Sequence, residues 1–283
     1  MIKLTFYGVR GSIPSPGGDS LKYGGNTPCI YIEADHNFHL VLDSGTGIIT
    51  LGDLLIKDHK PIYLLLSHNH WDHIQGFPFF RPAYQKDREI NIITGLTEPN
   101  EPLAILNQLQ STYFPVNSDE LSANISIAST TPMLVPIILG NVTILRQQLN
   151  HPNAGSAYLF TQNGNSFAYI TDNELQPPNH QFTTIEQWID FIQDVDLLIH
   201  DSQYFPEDFP EKSGWGHSPW DQVVDLAITA NVDTLCLFSH DYRRSDKEIE
   251  QMLAIAQAKV KHQKAFLKVY VARESCGFTI GEE

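Results

Sequence analysis

The sequence predicts an α/β protein built as a four-layer αββα sandwich in a single domain. Three observations lead to this prediction. Short β-rich runs at 2–9, 29–34 and 38–43 open the chain, and a second group of β-rich runs begins near residue 142. Segments with apolar side chains at helical spacing lie among both groups. Several runs, such as 61–68, are apolar throughout, which is typical of strands covered on both faces.

The first half alternates between strands and helical segments. Residues 47–57 carry apolar side chains at near-helical spacing, and 61–68 (PIYLLLSH) predicts a buried strand that ends on a histidine. The segment 78–135 is less regular, with a strand expected at 90–95 and a helix at 101–113. Its apolar Pro- and Phe-rich start suits either a substrate pocket or a subunit interface.

The second half opens on a group of antiparallel strands. They are expected at 142–149, 157–162 and 166–171, with Asn163-Gly164 as the hairpin turn between the last two. The remaining elements alternate between helices and apolar strands. In chain order they are a helix at 183–193 behind Thr183 and Thr184, a strand at 196–201, a helix at 219–230 capped by Ser218, a strand at 234–241, a helix at 245–262 and a strand at 265–272.

Composition excludes several classes of protein. The 283 residues are 42% hydrophobic, which predicts a folded and not a disordered chain. The net charge of −15 disfavours binding to polyanions, so nucleic acid is not expected as a partner. No linker or repeat divides it, which predicts one domain over 1–283. Cys29, Cys236 and Cys276 form no C-x-x-C pair. No stretch is apolar enough for a membrane span or leader, so a cytoplasmic location without membrane contact is expected.

Twelve histidines are unusual for this length, and a run after the 61–68 strand concentrates them. The run SHNHWDHIQG contains His68, His70, Asp72 and His73 in the pattern H-x-H-x-D-H. Residues i and i+2 of an extended segment point the same way, so His68 and His70 can bind one metal ion. A turn after them would direct Asp72 and His73 to a second ion nearby. Imidazole and carboxylate ligands suit zinc, iron or manganese.

This motif and several glycine-rich runs resemble the metallo-β-lactamase superfamily. GVRGS at 8–12, YGGNT at 23–27 and LDSGTG at 42–47 are similar to its phosphodiesterase- and tRNase Z-like branch. HIQGFPFF at 73–80 and YFPV at 113–116 resemble a subset of metal-dependent hydrolases in that branch. The resemblance covers nearly the whole chain and implies the superfamily's αββα fold.

The resemblance also implies further metal ligands. His151 corresponds to the third histidine of the first metal, and Asp172 to the carboxylate that bridges both metals. His240 corresponds to the last histidine, although some relatives have two consecutive histidines where this chain has Ser239-His240. Two divalent cations are therefore expected as cofactors, with zinc favoured over manganese and iron.

Two more residues are similar to a catalytic pair of tRNase Z-like enzymes. Asp201 ends a predicted strand and His217 lies in a glycine-flanked loop. A carboxylate that orients an imidazole and raises its pKa allows it to donate a proton to a leaving oxygen. With Asp72 they form the predicted catalytic set. Asp43 resembles an aspartate that orients metal-binding histidines, and Arg10 is either a phosphate ligand or part of an internal salt bridge.

These residues together predict a metal-dependent hydrolase that uses a metal-bridging hydroxide. The leading prediction is a phosphodiesterase that acts on a small or cyclic-nucleotide-like diester. A lactonase or thioester hydrolase uses nearly the same ligands, and a tRNA 3′-end endonuclease is the next alternative. Outside the hydrolases, the same scaffold could serve a non-hydrolytic metal-binding or ligand-binding protein. A small-molecule substrate and a homodimer are the expected partners.

Overall fold

Two seven-stranded β-sheets pack face to face with helices on their outer faces. The computed structural model describes residues 1–96, 101–128, 135–209 and 211–281. The first sheet contains β1 (Ile2–Gly8), β2 (Cys29–Glu33), β3 (His39–Leu42), β4 (Ile62–Leu65), β5 (Glu89–Ile93), β6 (Asn124–Ala128) and β14 (Gly277–Ile280). The second contains β7 (Ile137–Leu139), β8 (Val142–Gln148), β9 (Ser156–Gln162), β10 (Asn165–Ile170), β11 (Leu197–Asp201), β12 (Thr234–Phe238) and β13 (Lys268–Val271).

Six helices accompany the sheets in the described part of the chain. They are α1 (Gly47–Leu55), α2 (Trp71–Ile74), α3 (Ala104–Asn107), α4 (Ile185–Ile192), α5 (Trp220–Thr229) and α6 (Asp246–His262). Capping boxes begin two of them, with Thr184 and Gln187 at α4 and Ser245 and Glu248 at α6. Within the described ranges, no helix is both long enough and apolar enough to span a bilayer.

Three apolar layers hold the elements together. The middle layer lies between the sheets, with Phe6 and Leu42 of the first sheet sharing a core with Phe160 and Phe238 of the second. A second layer packs α1 against the outer face of the first sheet. A third packs α4, α5 and α6 against the outer face of the second sheet. The four-layer αββα prediction is therefore confirmed.

Strand direction determines where polar side chains can gather. In the first sheet β3, β4 and β5 are parallel, and in the second β10 to β13 are parallel. The chain leaves β3, β10 and β12 through Asp43, Asp172 and Ser239, whose φ angles are 56°, 47° and 58°. These left-handed residues turn the backbone sharply at the carboxyl ends of the strands, where α/β proteins commonly bind ligands.

Several element predictions need correction. The helix expected at 101–113 is reduced to the single turn of α3, and 97–100 and 129–134 of the less regular segment lie outside the described residues. β6, β7 and β14 have no counterpart in the sequence predictions. Ser218 does not cap α5, because its hydroxyl donates to the carbonyl of Asn173. The hairpin turn is confirmed, with φ of 50° at Asn163 and 81° at Gly164.

Candidate metal centre

The carboxylate of Asp172 lies at the centre of a histidine cluster between the two sheets. Its Oδ2 atom is 3.6 Å from His68 Nε2, 3.4 Å from His73 Nε2 and 3.7 Å from His151 Nε2. His151 Nε2 is also 2.9 Å from His70 Nδ1. The first sheet thus supplies the H-x-H-x-D-H segment, and the second sheet supplies Asp172 and His151.

Three groups that could hold a metal share Asp172, and one of them consists of Asp172, Asp201 and His217. We call His68, His70, His151 and Asp172 the first metal position, and Asp72, His73 and Asp172 the second metal position. The ligand atoms within each group all lie within 4.8 Å of one another. His68 and His70 lie in the first metal position, and the turn at α2 brings Asp72 and His73 into the second.

The buried nitrogens of this cluster fit a divalent cation. Within the described residues, His68 Nε2 and His73 Nε2 are buried and have no hydrogen-bond partner. Ligands on a tetrahedral ion with bonds of about 2.0–2.1 Å lie about 3.4 Å apart, close to the separations around Asp172 Oδ2. Buried, unpaired imidazole nitrogens are costly unless a ligand satisfies them. The His/Asp cluster is therefore suited to binding divalent metal.

Protonation in the metal-free protein agrees with this role. Burial lowers the pKa of His68 well below its ordinary value and that of His151 to about 3, so both rings are neutral as metal ligands must be. Burial alone would also lower the pKa of His73, but Asp72, Asp172 and Asp43 outweigh it and raise that pKa well above its ordinary value. The three carboxylates thus make the second position favourable for a positive charge.

Asp43 orients His73 from behind. Its buried carboxylate accepts hydrogen bonds from His73 Nδ1 at 2.9 Å, from the Ser67 hydroxyl at 2.8 Å and from the Tyr169 hydroxyl at 2.8 Å. A further bond comes from the Ser67 backbone N–H at 2.7 Å. With Nδ1 donating to Asp43, Nε2 is the nitrogen of His73 that faces the second metal position.

Replacing Asp43 with Asn is expected to weaken both metal binding and the fold. The amide keeps the shape but cannot accept every bond that the carboxylate accepts, and it leaves buried His73 without its charged partner. We expect metal affinity to fall about 10–100-fold and the free energy of unfolding to fall by about 3 kcal/mol. Metal titration and urea unfolding measure the two effects.

The matched control is Asp53→Asn. Asp53 pairs with Arg81 on the surface, where its side chain is 60% exposed, and a surface pair of this kind contributes about 0–1 kcal/mol. Equal unfolding midpoints and equal metal affinities for Asp43→Asn and Asp53→Asn would contradict the orienting role of Asp43.

His217 and Asp201 form a buried pair beside the cluster. His217 Nδ1 donates to Asp201 Oδ2 at 2.7 Å, and both residues lie within ligand distance of Asp172. Burial raises the pKa of Asp201 to about 6. Burial alone would lower the pKa of His217, but the charges of Asp201 and Asp172 outweigh it and raise that pKa to about 9. In the metal-free protein, the shared proton therefore resides on His217 at neutral pH.

Glu174, which the sequence analysis did not single out, holds the loop that carries His217. Its buried carboxylate accepts hydrogen bonds from the backbone N–H groups of Gly214 and Gly216 at 2.9 and 3.0 Å. The carbonyl of Gly216 in turn accepts from His151 Nδ1 at 2.9 Å. Glu174 thereby positions the loop of His217 and a ring of the first metal position. Only its place two residues after Asp172 could have indicated this.

The structure does not place His240 in the cluster. Its Nε2 donates to the carbonyl of Ala272 at 2.9 Å, and its ring packs edge-on against Tyr23. In the described part of the chain, His240 belongs to none of the groups that could hold a metal. Ser239 instead faces the cluster, with its hydroxyl 3.5 Å from Asp172 Oδ1. The prediction that His240 completes the second metal position is therefore not supported.

Arg10 belongs to the interior and not to a phosphate site. Its side chain is fully buried and donates to the carbonyl of Gly24 at 2.8 Å and to that of Arg244 at 2.7 Å. Asp246 lies 3.7 Å away. The internal alternative is therefore the correct one for Arg10.

A cavity of about 570 Å³ lies on the other side of the H-x-H-x-D-H segment. Asn69 and Trp71, which alternate with the motif histidines, line it with Phe79, Tyr113 and Phe114. Trp71 is 70% and Tyr113 is 78% exposed. None of the predicted metal ligands lines this cavity. Both predicted roles of the 78–135 segment, as part of a substrate pocket or as a subunit interface, therefore stay predictions.

Sequence comparisons identify relatives over most of the chain. The family model described as "Beta-lactamase superfamily domain" matches residues 42–240. Ribonuclease Z of Picrophilus torridus is 22% identical over 99% of this chain and 96% of its own length. Ribonuclease Z of Sulfurisphaera tokodaii is 33% identical over 41% of this chain, and the match spans only 33% of that relative. Because both relatives are ribonucleases, the expectation from composition that nucleic acid is not a partner is not supported.

Solved structures show the same fold at low sequence identity. The metallo-beta-lactamase fold protein YhfI from Bacillus subtilis superposes with a TM-score of 0.69 at 17% identity, over 99% of each chain. Human tRNase Z, short form, gives 0.65 at 15% identity over 100% of each chain. A diphosphatase from the PhnP family gives 0.66 at 15% identity, over 99% of this chain and 98% of that one. The chain therefore belongs to the beta-lactamase superfamily and has the metallo-β-lactamase fold.

Proposed function

We propose that this protein is a phosphodiesterase that hydrolyses a small diester at a centre of two divalent cations, with zinc as the expected metal. The observation that carries the proposal is the 2.7 Å hydrogen bond between His217 and Asp201 beside the His/Asp cluster. A thioester releases a thiolate, which departs without a proton, whereas a diester with an alkoxide leaving group needs a proton donor.

The first metal position would hold one cation and the second would hold the other, with Asp172 shared between them. Bound divalent metal supplies Lewis-acid charge that polarises the phosphoryl oxygen and lowers the pKa of water to about 7. The chain's own residues do the rest. Asp43 and Glu174 hold His73 and His151 in register. Asp201 accepts a hydrogen bond from His217 Nδ1 and stabilises the protonated ring, whose Nε2 proton would pass to the departing oxygen.

Substrate charge is consistent with this assignment. The chain carries a net charge of −15, which repels long polyanions at the surface. Two divalent cations and His217 would make the centre itself electropositive, so a single small phosphodiester would be attracted there.

A ribonuclease Z-like activity is the second candidate, and the two curated relatives with that name favour it. Eight of the eighteen basic residues lie between Arg243 and Arg273, which could form a local basic patch. Two of them are already paired within the chain, Arg244 with Asp208 and Lys259 with Asp225. This internal pairing reduces the charge left for an RNA backbone.

A hydrolysis panel on zinc- or manganese-loaded protein separates these functions. The substrates are bis-p-nitrophenyl phosphate, cyclic nucleotides, an acyl-homoserine lactone and a precursor tRNA. We expect turnover of the diesters and at least one cyclic nucleotide. Turnover of the lactone alone would contradict the phosphodiesterase proposal, and cleavage of precursor tRNA in preference to every small diester would establish the second candidate instead.

A further inference from the structure

We propose that Ser239 stands where the second metal position would otherwise have an imidazole, so that the two positions differ strongly in affinity. The first position would hold its cation tightly, and the second would hold an exchangeable one. This inference rests on the proposed two-cation function, and it concerns the residue that directly precedes the predicted ligand His240.

The backbone directs Ser239 into the cluster. It follows β12 directly, adopts a φ of 58° and is fully buried. Its hydroxyl lies 3.5 Å from Asp172 Oδ1 and 3.3 Å from Gln203 Oε1. The next residue, His240, uses Nε2 to bond the carbonyl of Ala272, and its Nδ1 is buried without a hydrogen-bond partner. Of the two consecutive residues, the one that reaches the metal cluster is therefore the serine.

The donor sets of the two positions are chemically unequal. The first position offers three imidazole nitrogens and one carboxylate, whereas the second offers one imidazole, from His73, and the carboxylates of Asp72 and Asp172. Imidazole suits zinc, while carboxylate suits harder ions such as manganese and magnesium. A neutral hydroxyl contributes little to zinc affinity compared with an imidazole. The second position should therefore bind zinc more weakly and discriminate less against manganese.

The packing around Ser239 also explains why a small side chain lies there. Gly11 faces it so closely that a Cβ added to Gly11 would be 2.6 Å from Ser239 Oγ and 2.4 Å from Gln203 Oε1. A larger residue at 239 must therefore displace the flexible amide end of Gln203. Gln203 Nε2 donates to the Ser12 hydroxyl at 3.2 Å, a bond that such a displacement would break.

The test is a count of bound metal, made without any substrate. We expect wild-type protein to keep one zinc per chain through exhaustive dialysis, and calorimetric titration to show a second zinc bound at least about 100-fold more weakly. Ser239→His should keep two zinc ions per chain after the same dialysis. The matched variant at the neighbouring position, His240→Gln, keeps a donor for Ala272 and should match wild type in both affinities.

Three results would overturn the inference: two equally tight zinc ions in wild type, loss of one zinc in His240→Gln, or no second zinc at up to about 1 mM. If circular dichroism shows that Ser239→His does not fold, the titrations of wild type and His240→Gln still test the inference.

Unequal zinc affinities in a protein that hydrolyses no diester would contradict the proposed function alone. Diester hydrolysis with two equally tight zinc ions would contradict only the role given to Ser239.

Discussion

Replacing Asp172 with Asn is expected to remove bound metal and diester hydrolysis together. Asp172 Oδ2 lies 3.4–3.7 Å from the Nε2 atoms of His68, His73 and His151, so one carboxylate serves both metal positions. The pKa of Asp172 would be raised by burial, but the charges of His73 and His217 hold it well below its ordinary value. It is therefore ionised across the working pH range, and an amide cannot replace that charge between two cations. We expect the rate to fall at least about 10³-fold.

The measurement combines metal content after dialysis with the rate on bis-p-nitrophenyl phosphate. Asp190→Asn is the control, because Asp190 is an exposed carboxylate on α4, remote from the cluster. Circular dichroism should show that both variants keep the fold. If Asp172→Asn retained wild-type metal content and rate, the bridging role of Asp172 would be wrong.

Replacing His217 with Ala is expected to reduce turnover while metal content stays at the wild-type level. His217 belongs to neither the first nor the second metal position but to the group with Asp172 and Asp201, and its Nδ1 donates to Asp201 at 2.7 Å, which leaves Nε2 to carry the proton that is donated. General acid catalysis contributes about 10²–10⁴-fold, so a cyclic nucleotide with an alkoxide leaving group should lose about that much. Bis-p-nitrophenyl phosphate should lose much less, because nitrophenolate departs without a proton.

The pH profile provides a second readout for His217. The carboxylates of Asp201 and Asp172 outweigh burial and raise its pKa to about 9 in the metal-free protein, so the ring carries its proton at neutral pH. Nearby cations disfavour that charge and lower this pKa again. The rate on an alkoxide substrate should therefore fall as pH rises through a value below 9, and His217→Ala should lack that alkaline decline.

The control for this prediction is His262→Ala, which removes an exposed histidine at the end of α6. It should leave metal content, rate and pH profile unchanged. Equal losses on the cyclic nucleotide and on bis-p-nitrophenyl phosphate would indicate that His217 positions substrate or metal and does not donate a proton.

Local pattern predicted most of this fold and much of the cluster. The runs that became β4 and β12 are almost entirely apolar because both of their faces are covered, and that signal is readable in one sequence. The spacing within His68–His73 reflects the geometry of a strand followed by a turn, so it also indicated which side chains share a metal position.

The errors concern features that depend on distant parts of the chain. Strand β14 forms only because Gly277–Ile280 pairs with β1, almost the whole chain away. Whether Ser239 or His240 faces the cluster depends on the left-handed turn after β12. The sequence of these two adjacent polar residues does not reveal that turn. Glu174 acts through a loop some forty residues later, which no local pattern indicates.

The division of the cluster between the two sheets has a thermodynamic consequence. His68 to His73 extend from the first sheet, while His151 and Asp172 extend from the second. The apolar layer between the sheets and hydrogen bonds such as that from Tyr169 to Asp43 also join the two sheets. A cation bound by both sets acts as a cross-link that exists only when both halves are folded. By mass action, an ion at about 1,000 times its dissociation constant adds about 4 kcal/mol to the cost of separating them. A bound metal would therefore increase the cooperativity of unfolding in addition to its role in hydrolysis.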